Sequence, residues 1–223
     1  MTMNEKETAE RLGAFDACAL SDALDKLKLK GCVTGLVAAS PGKRIAGRIQ
    51  TVKLAAGTPP AGSPVRHLGA AAIDAASAGD VIVIEQRSGV EAGSWGGVLS
   101  RAAIEKGVAG VVSDGLVRDV DEARSLDFPI FCRGYTALTA RARVYEQETN
   151  GPVTIGDVVV EPGYFVVADS SAAVFISPDD IDRVLETVAG IAAREAEMIR
   201  RLEAGETASA VLGANYEHML QGK

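Results

Sequence analysis

The chain has 223 residues, with 23 Lys and Arg against 30 Asp and Glu for a net charge of −7. That balance leaves no basic stripe to neutralise a phosphate backbone, so nucleic acid is not an expected partner. Hydrophobic residues make up 47% and aromatics only 4%, which supplies an aliphatic core and excludes a largely disordered chain.

Met1 to Glu7 is polar and mixed in charge, unlike the basic-then-apolar start of a signal peptide. No window approaches the roughly 20 apolar residues of a membrane span. Cys18, Cys32 and Cys132 are scattered without a C-x-x-C pair, and histidine occurs only at His67 and His218. Neither a disulfide framework nor a His/Cys zinc site is expected. The expectation is a cytoplasmic protein without membrane contact.

In chain order, apolar periodicity predicts a helix over residues 5–29, closed by Lys30-Gly31, with Ser21-Asp22 able to restart a turn. An irregular stretch at 32–43 precedes a strand at 44–54, and prolines mark 56–64 as a loop. Next come a helix at 67–78, a strand at 81–85, a glycine-rich turn at 86–97, a helix at 98–106 and a strand at 109–113. Asp114-Gly115 turns the chain towards a short helix at 120–125. Four or five short strands are expected within 129–176, and Pro178 opens a long helix at 179–203. No internal repeat, no strict βαβ alternation and no linker is visible. The expectation is one α/β domain over residues 1–223, with a core at about 12–178, the long C-terminal helix and a tail at 204–223.

Two segments carry chemistry. Gly93-Ser94-Trp95-Gly96-Gly97-Val98-Leu99 puts a glycine-rich turn at a helix start, where unpaired N–H groups suit a carboxylate or phosphate. Ser113-Asp114-Gly115-Leu116-Val117-Arg118-Asp119 sets an arginine and an aspartate just beyond an apolar strand. Arg118 is suited to clamp a substrate carboxylate through two hydrogen bonds, and Asp119 to ligate a hard cation such as Mg²⁺. The same pair also reads as helix-start charges making surface ion pairs.

These segments belong to an ordered set. Leu20-Ser21-Asp22-Ala23-Leu24-Asp25, Gly47-Arg48-Ile49-Gln50-Thr51-Val52, Ala78-Gly79-Asp80-Val81, the run from Gly107 through Asp119, and Glu161-Pro162-Gly163 follow in sequence. In this the chain resembles the RraA-like family, whose enzymatic members are divalent-metal-dependent 4-hydroxy-4-methyl-2-oxoglutarate / 4-carboxy-4-hydroxy-2-oxoadipate aldolases. The resemblance implies a swivelling β/β/α fold, assembled as a trimer or a dimer of trimers with sites between subunits. It also implies Mg²⁺ or Mn²⁺ as cofactor and a pyruvate-type 2-oxo acid as substrate.

The family's aldolase signature is G-x-x-x-D, twenty residues, then R-D. Gly93 and Arg118-Asp119 match it, but the aspartate position holds Gly97. The resemblance makes Asp119 a metal ligand, Arg118 the carboxylate clamp, and Gly96, Gly97, Val98 and Leu99 the backbone facing substrate. It also matches Glu195 to a last-helix carboxylate that completes the metal shell of an adjacent subunit. In the aldolases the missing aspartate takes part in proton transfer, so oxaloacetate decarboxylation is expected to outlast aldol cleavage. The family's regulators, which inhibit an RNA-degrading endonuclease, typically lack the aspartate of the Arg-Asp pair, which this chain keeps. A non-catalytic regulator binding a protein partner, and an enzyme with a different substrate suited to Gly97, are the alternatives. Among other residues, His67 is expected at the surface or an interface rather than as an acid/base group, His218 in the tail, and Asp22 and Asp25 on a solvated helix face rather than lining the site. Trp95 should line the pocket, the core or an interface, while Asp169 should hold a turn and Cys132 should lie in the core.

Overall fold

The computed structural model describes residues 4–40, 43–63 and 66–213. The side chain of Asn4 accepts a hydrogen bond from the Glu7 N–H at 2.8 Å and opens α1 (Glu5–Gly13). Asp16 accepts one from the Ala19 N–H at 2.8 Å and opens α2 (Ala17–Leu27). The single helix expected over 5–29 is therefore two. It breaks because Asp16 turns extended to cap α2, and Asp169 Oδ2 takes the Ala17 N–H at 2.9 Å. Ser21 and Asp22 lie inside α2 rather than at a restart.

The stretch expected to be irregular holds two-residue strands β1 (Cys32–Val33) and β2 (Val37–Ala38). From β3 (Ile45–Ala56) the chain passes through α3 (Ala70–Ala75), β4 (Val81–Glu85) and α4 (Gly97–Lys106). It continues through β5 (Gly110–Ser113), β6 (Leu116–Val117), α5 (Val120–Ser125) and β7 (Ile130–Cys132). The pairs β3–β4, β4–β5 and β5–β7 are all parallel, so this run is three successive βαβ crossovers. A helix after each of these strands is expected from the sequence; their parallel pairing is not legible there, because it depends on contacts between segments distant in sequence. All of β4 is buried, as a parallel strand covered on both faces must be.

The second half adds β8 (Gly134–Tyr135), β9 (Val144–Thr149), the hairpin β10 (Val153–Ile155) and β11 (Val158–Val160), then β12 (Phe165–Ala168) and β13 (Ala173–Ile176). Residues 129–176 thus carry more strands than the four or five expected, because pieces of two or three residues leave little alternation to read. A 3₁₀ turn at Pro178–Asp180 leads into α6 (Ile181–Glu203), and α7 (Ala208–Val211) follows.

Among the described residues the main sheet runs β1-β13-β12-β3-β4-β5-β7-β2, with β9 also on β3. β3 changes neighbours along its length. It is antiparallel to β12 over Ile45–Arg48, parallel to β4 over Ile49–Lys53, and antiparallel to β9 over Val52–Ala56 across an irregularity at Lys53/Leu54. Such changes of partner curl the sheet into a half-barrel. One apolar cluster, with Ile82, Trp95 and Ile130, packs α3, α4 and α5 on the parallel part. A second, with Leu20, Val174 and Val188, packs α1, α2 and α6 on the antiparallel part. A third, with Ile49, Val83 and Phe175, fills the concave side under the β10–β11 hairpin.

Candidate active site

In open α/β sheets, ligands bind beyond the carboxyl ends of parallel strands. Here β4 and β5 end side by side at Glu85 and Ser113, and the loops after them are joined. Ser94 N–H donates to Leu116 O at 2.8 Å, the Ser94 and Ser113 hydroxyls lie 2.7 Å apart, and Arg118 N–H donates to Trp95 O at 3.0 Å. Trp95 is 1% exposed, and its indole N–H donates to Ser100 Oγ at 3.0 Å. The glycine turn is therefore anchored by an indole beneath it and a second loop beside it.

Arg118 lies across that turn. A Cβ on Gly93 would meet Arg118 Cγ at 3.0 Å, and one on Gly96 would meet Asp119 Oδ2 at 2.8 Å. Glycine at these positions lets both side chains reach the amino end of α4. Asp119 has φ 56 and ψ 39, a left-handed conformation that aspartate tolerates better than most residues. It turns the carboxylate back on α4: Gly97 N–H donates to Asp119 Oδ2 at 3.0 Å, and Arg118 Nε donates to Asp119 Oδ1 at 3.3 Å. Val98 and Leu99 follow in the first turn of α4, where N–H groups have no intrahelical acceptor. Val98 is 79% exposed.

Sequence reasoning missed Glu122. A side chain at position 97 would run into Glu122 Oε2, while Glu122 Oε1 accepts from Arg101 Nε at 2.8 Å. A carboxylate thus reaches the space beside Gly97, but from α5 instead of α4. The signal was the spacing: Asp119 and Glu122 are three apart at a helix start and so share a face.

A cleft of about 600 Å³ opens over Gly96, Gly97, Val98, Leu99, Arg118 and Asp119. The same cleft is lined as well by Arg66, His67, Thr139, Arg141 and Tyr145. His67 is exposed, as expected, and borders this cleft; Trp95 serves both core and pocket floor. Among the described residues no group of three or more His, Cys, Asp or Glu side chains converges as a metal cage. Asp119 and Glu122 offer two carboxylates, which suits an ion that keeps several waters, as Mg²⁺ does.

A family model described as RraA-like, Aldolase/RraA, matches residues 17–175. The chain belongs to the RraA-like family. Protein DlpA of Legionella pneumophila is 28% identical over 196 residues, covering 86% of this chain but 31% of DlpA, so the chain spans about a third of that relative. The 4-hydroxy-4-methyl-2-oxoglutarate aldolase of Thermus thermophilus is 32% identical over 137 residues, 60% of this chain and 76% of the relative. Streptomyces coelicolor RraAS2, named an unusual member of the RNase ES inhibitor RraA protein family, superposes with a TM-score of 0.75. At 24% identity, over 90% of this chain and 98% of that one, its likeness shows the RraA-like fold.

Other residues singled out in the sequence fall elsewhere on this RraA-like frame. Glu195 on α6 is half-buried next to Asp16 and Asp22, and burial with those two charges pushes its carboxyl above the usual range. Its neighbours are thus the start of α2, not Asp119 of its own chain. Asp22 is half-buried, where a solvated helix face was expected, and Asp25 is exposed. Asp169 holds the β12–β13 turn by accepting from Ser171 N–H at 2.9 Å. Cys132 is buried, and burial pushes its thiol up to about 11. His218 lies outside the described residues. No helix among the described residues is long and apolar enough to cross a membrane.

Proposed function

We propose that this protein is a divalent-metal-dependent carbon–carbon lyase acting on pyruvate-type 2-oxo acids, by oxaloacetate decarboxylation, aldol cleavage or both. The observation that carries the reading is the meeting of Arg118, Asp119 and Glu122 at the amino end of α4. The family membership and the aldolase name of the Thermus relative support it.

Asp119 and Glu122 would hold Mg²⁺ or Mn²⁺, which when bound supplies Lewis-acid stabilisation of charge developing on a 2-oxo oxygen. Arg118 releases its weak contact with Asp119 and pairs with the substrate carboxylate through two parallel hydrogen bonds. The Val98 and Leu99 N–H groups, with the positive end of α4, face the same charge. When the carbon–carbon bond of oxaloacetate breaks, carbon dioxide leaves and the electron pair passes into pyruvate enolate. Aldol cleavage reaches the same enolate but must also remove a proton from a substrate hydroxyl. In this reading Glu122, beside Gly97, would take it.

In the same reading the protein is a homotrimer or a dimer of trimers, and Glu195 serves the site of an adjacent copy. Light scattering measures the assembly. Coupled pyruvate detection from oxaloacetate and from 4-hydroxy-4-methyl-2-oxoglutarate, with Mg²⁺, Mn²⁺ or EDTA, tests the activity. Metal-dependent release above the metal-only background is the expected result, and none with either substrate would overturn it.

A further inference from the structure

Glu146 is a carboxylate where an aliphatic side chain would be expected. It stands two residues after Val144 on β9, so the two share a face of the strand, and Val144 packs into the apolar cluster that holds Trp95. Glu146 is only 7% exposed. Burying a carboxylate is costly without hydrogen bonds, and both of its oxygens make them. Oε2 accepts from Gly69 N–H at 2.6 Å, and Oε1 accepts from the Thr149 hydroxyl. Gly69 opens α3, whose first N–H groups have no intrahelical acceptor, so a carboxylate suits that end. Gly69 has φ 75, and a Cβ on it would meet the Trp95 ring at 3.0 Å, so its backbone lies against the indole. The Trp95 carbonyl in turn accepts from Arg118 N–H at 3.0 Å. Contacts thus run from Glu146 through Gly69 and Trp95 to Arg118, and none joins residues adjacent in sequence.

We propose that Glu146 is a positioning residue: by holding Gly69 against the indole it fixes Trp95 and, through Trp95, the glycine turn and Arg118. A displacement of about 1 Å at a group that orients substrate can cost roughly a hundredfold in rate, so a buried contact away from the chemistry can govern it. The effect on turnover rests on the lyase reading; the hold on Trp95 does not.

Trp95 is the only tryptophan of the chain, so its fluorescence reports this contact directly. Emission and acrylamide quenching are measured on the full chain carrying Glu146→Ala, Glu146→Asp or Glu146→Gln, well below each Tm. Alanine removes the acceptor, aspartate withdraws it by one methylene, and glutamine keeps an acceptor oxygen of the same reach. Alanine and aspartate should move the emission to the red and make it easier to quench. They should also lower kcat/KM for metal-dependent pyruvate release from oxaloacetate by about tenfold or more. Glutamine should restore the native emission and most of the rate. Glu148→Ala, which removes an exposed carboxylate from the same strand, should change neither. Native emission in the alanine and aspartate variants, glutamine no better than aspartate, or a red shift at native kcat/KM would overturn the proposal. Should the alanine variant not fold, the comparison of aspartate with glutamine decides. A red shift in a protein without turnover would leave the hold on Trp95 standing and remove the lyase reading; turnover with unshifted emission would do the reverse.

Discussion

Glu122 and Gly97 share one space: a side chain at 97 would collide with Glu122 Oε2, and the carboxylate is held there by Arg101. Within an RraA-like frame this makes the glycine a partner of the glutamate. Gly97→Asp alone should lower both thermal stability and pyruvate release, because two carboxylates crowd one position. Glu122→Ala alone should weaken Mg²⁺ binding by roughly tenfold or more. The double variant, Gly97→Asp with Glu122→Ala, should recover part of the loss. Calorimetric metal titration of the three variants checks this, and a double variant no better than either single one would count against exchange of the two carboxylates.

The joined loops beneath the site are a stability matter. Ser113 is fully buried and its hydroxyl meets that of Ser94, which keeps Leu116 O as a second partner at 2.9 Å. Ser113→Ala should therefore cost about 1 kcal/mol, seen as a Tm lower by roughly 2–4 °C. An unchanged Tm would show that the pair adds nothing to the native state.

Thiol reactivity should separate the three cysteines. Burial holds the Cys132 thiol up at about 11, so it stays protonated and unreactive at pH 8. Cys18 is exposed. Labelling of the folded protein should modify Cys18 and spare Cys132 until denaturant is added. Rapid native labelling of Cys132 would contradict its place in the core.

Asp22 gives a pH dependence with a definite sign. Burial, then the charges of Asp25 and Asp16, push its carboxyl above the ordinary value of 3.8. The folded chain therefore holds that proton more tightly than the unfolded chain. The resulting stability is present below 3.8 and lost as pH rises through the folded value. Asp22→Asn should accordingly raise Tm at pH 7, and the gain should shrink as the pH falls towards 4. An equal difference at both pH values would refute this origin.

The sequence made Arg118 and Asp119 legible because both follow an apolar strand at its carboxyl lip, where parallel sheets place their ligands. Long, strongly patterned pieces such as β4 and α6 were legible for the same kind of reason. The break at Asp16 was not, because its cap depends on Asp169, distant in sequence, taking the next N–H. Glu122 was missed because its meaning lies in the space Gly97 leaves free, which appears only when α4 and α5 are packed together. Arg66 and Arg141 likewise come from loops with no pattern, and only folding brings them to one cleft.

The most direct measurement is metal-dependent pyruvate release from oxaloacetate by the native protein and by Asp119→Asn, which keeps the side-chain shape and tolerates the left-handed backbone at 119. The account predicts turnover with Mg²⁺ or Mn²⁺, none with EDTA, and a loss of about a hundredfold or more in the variant at unchanged Tm. Equal rates in the two proteins, or no turnover by the native one above the metal-only background, would contradict it.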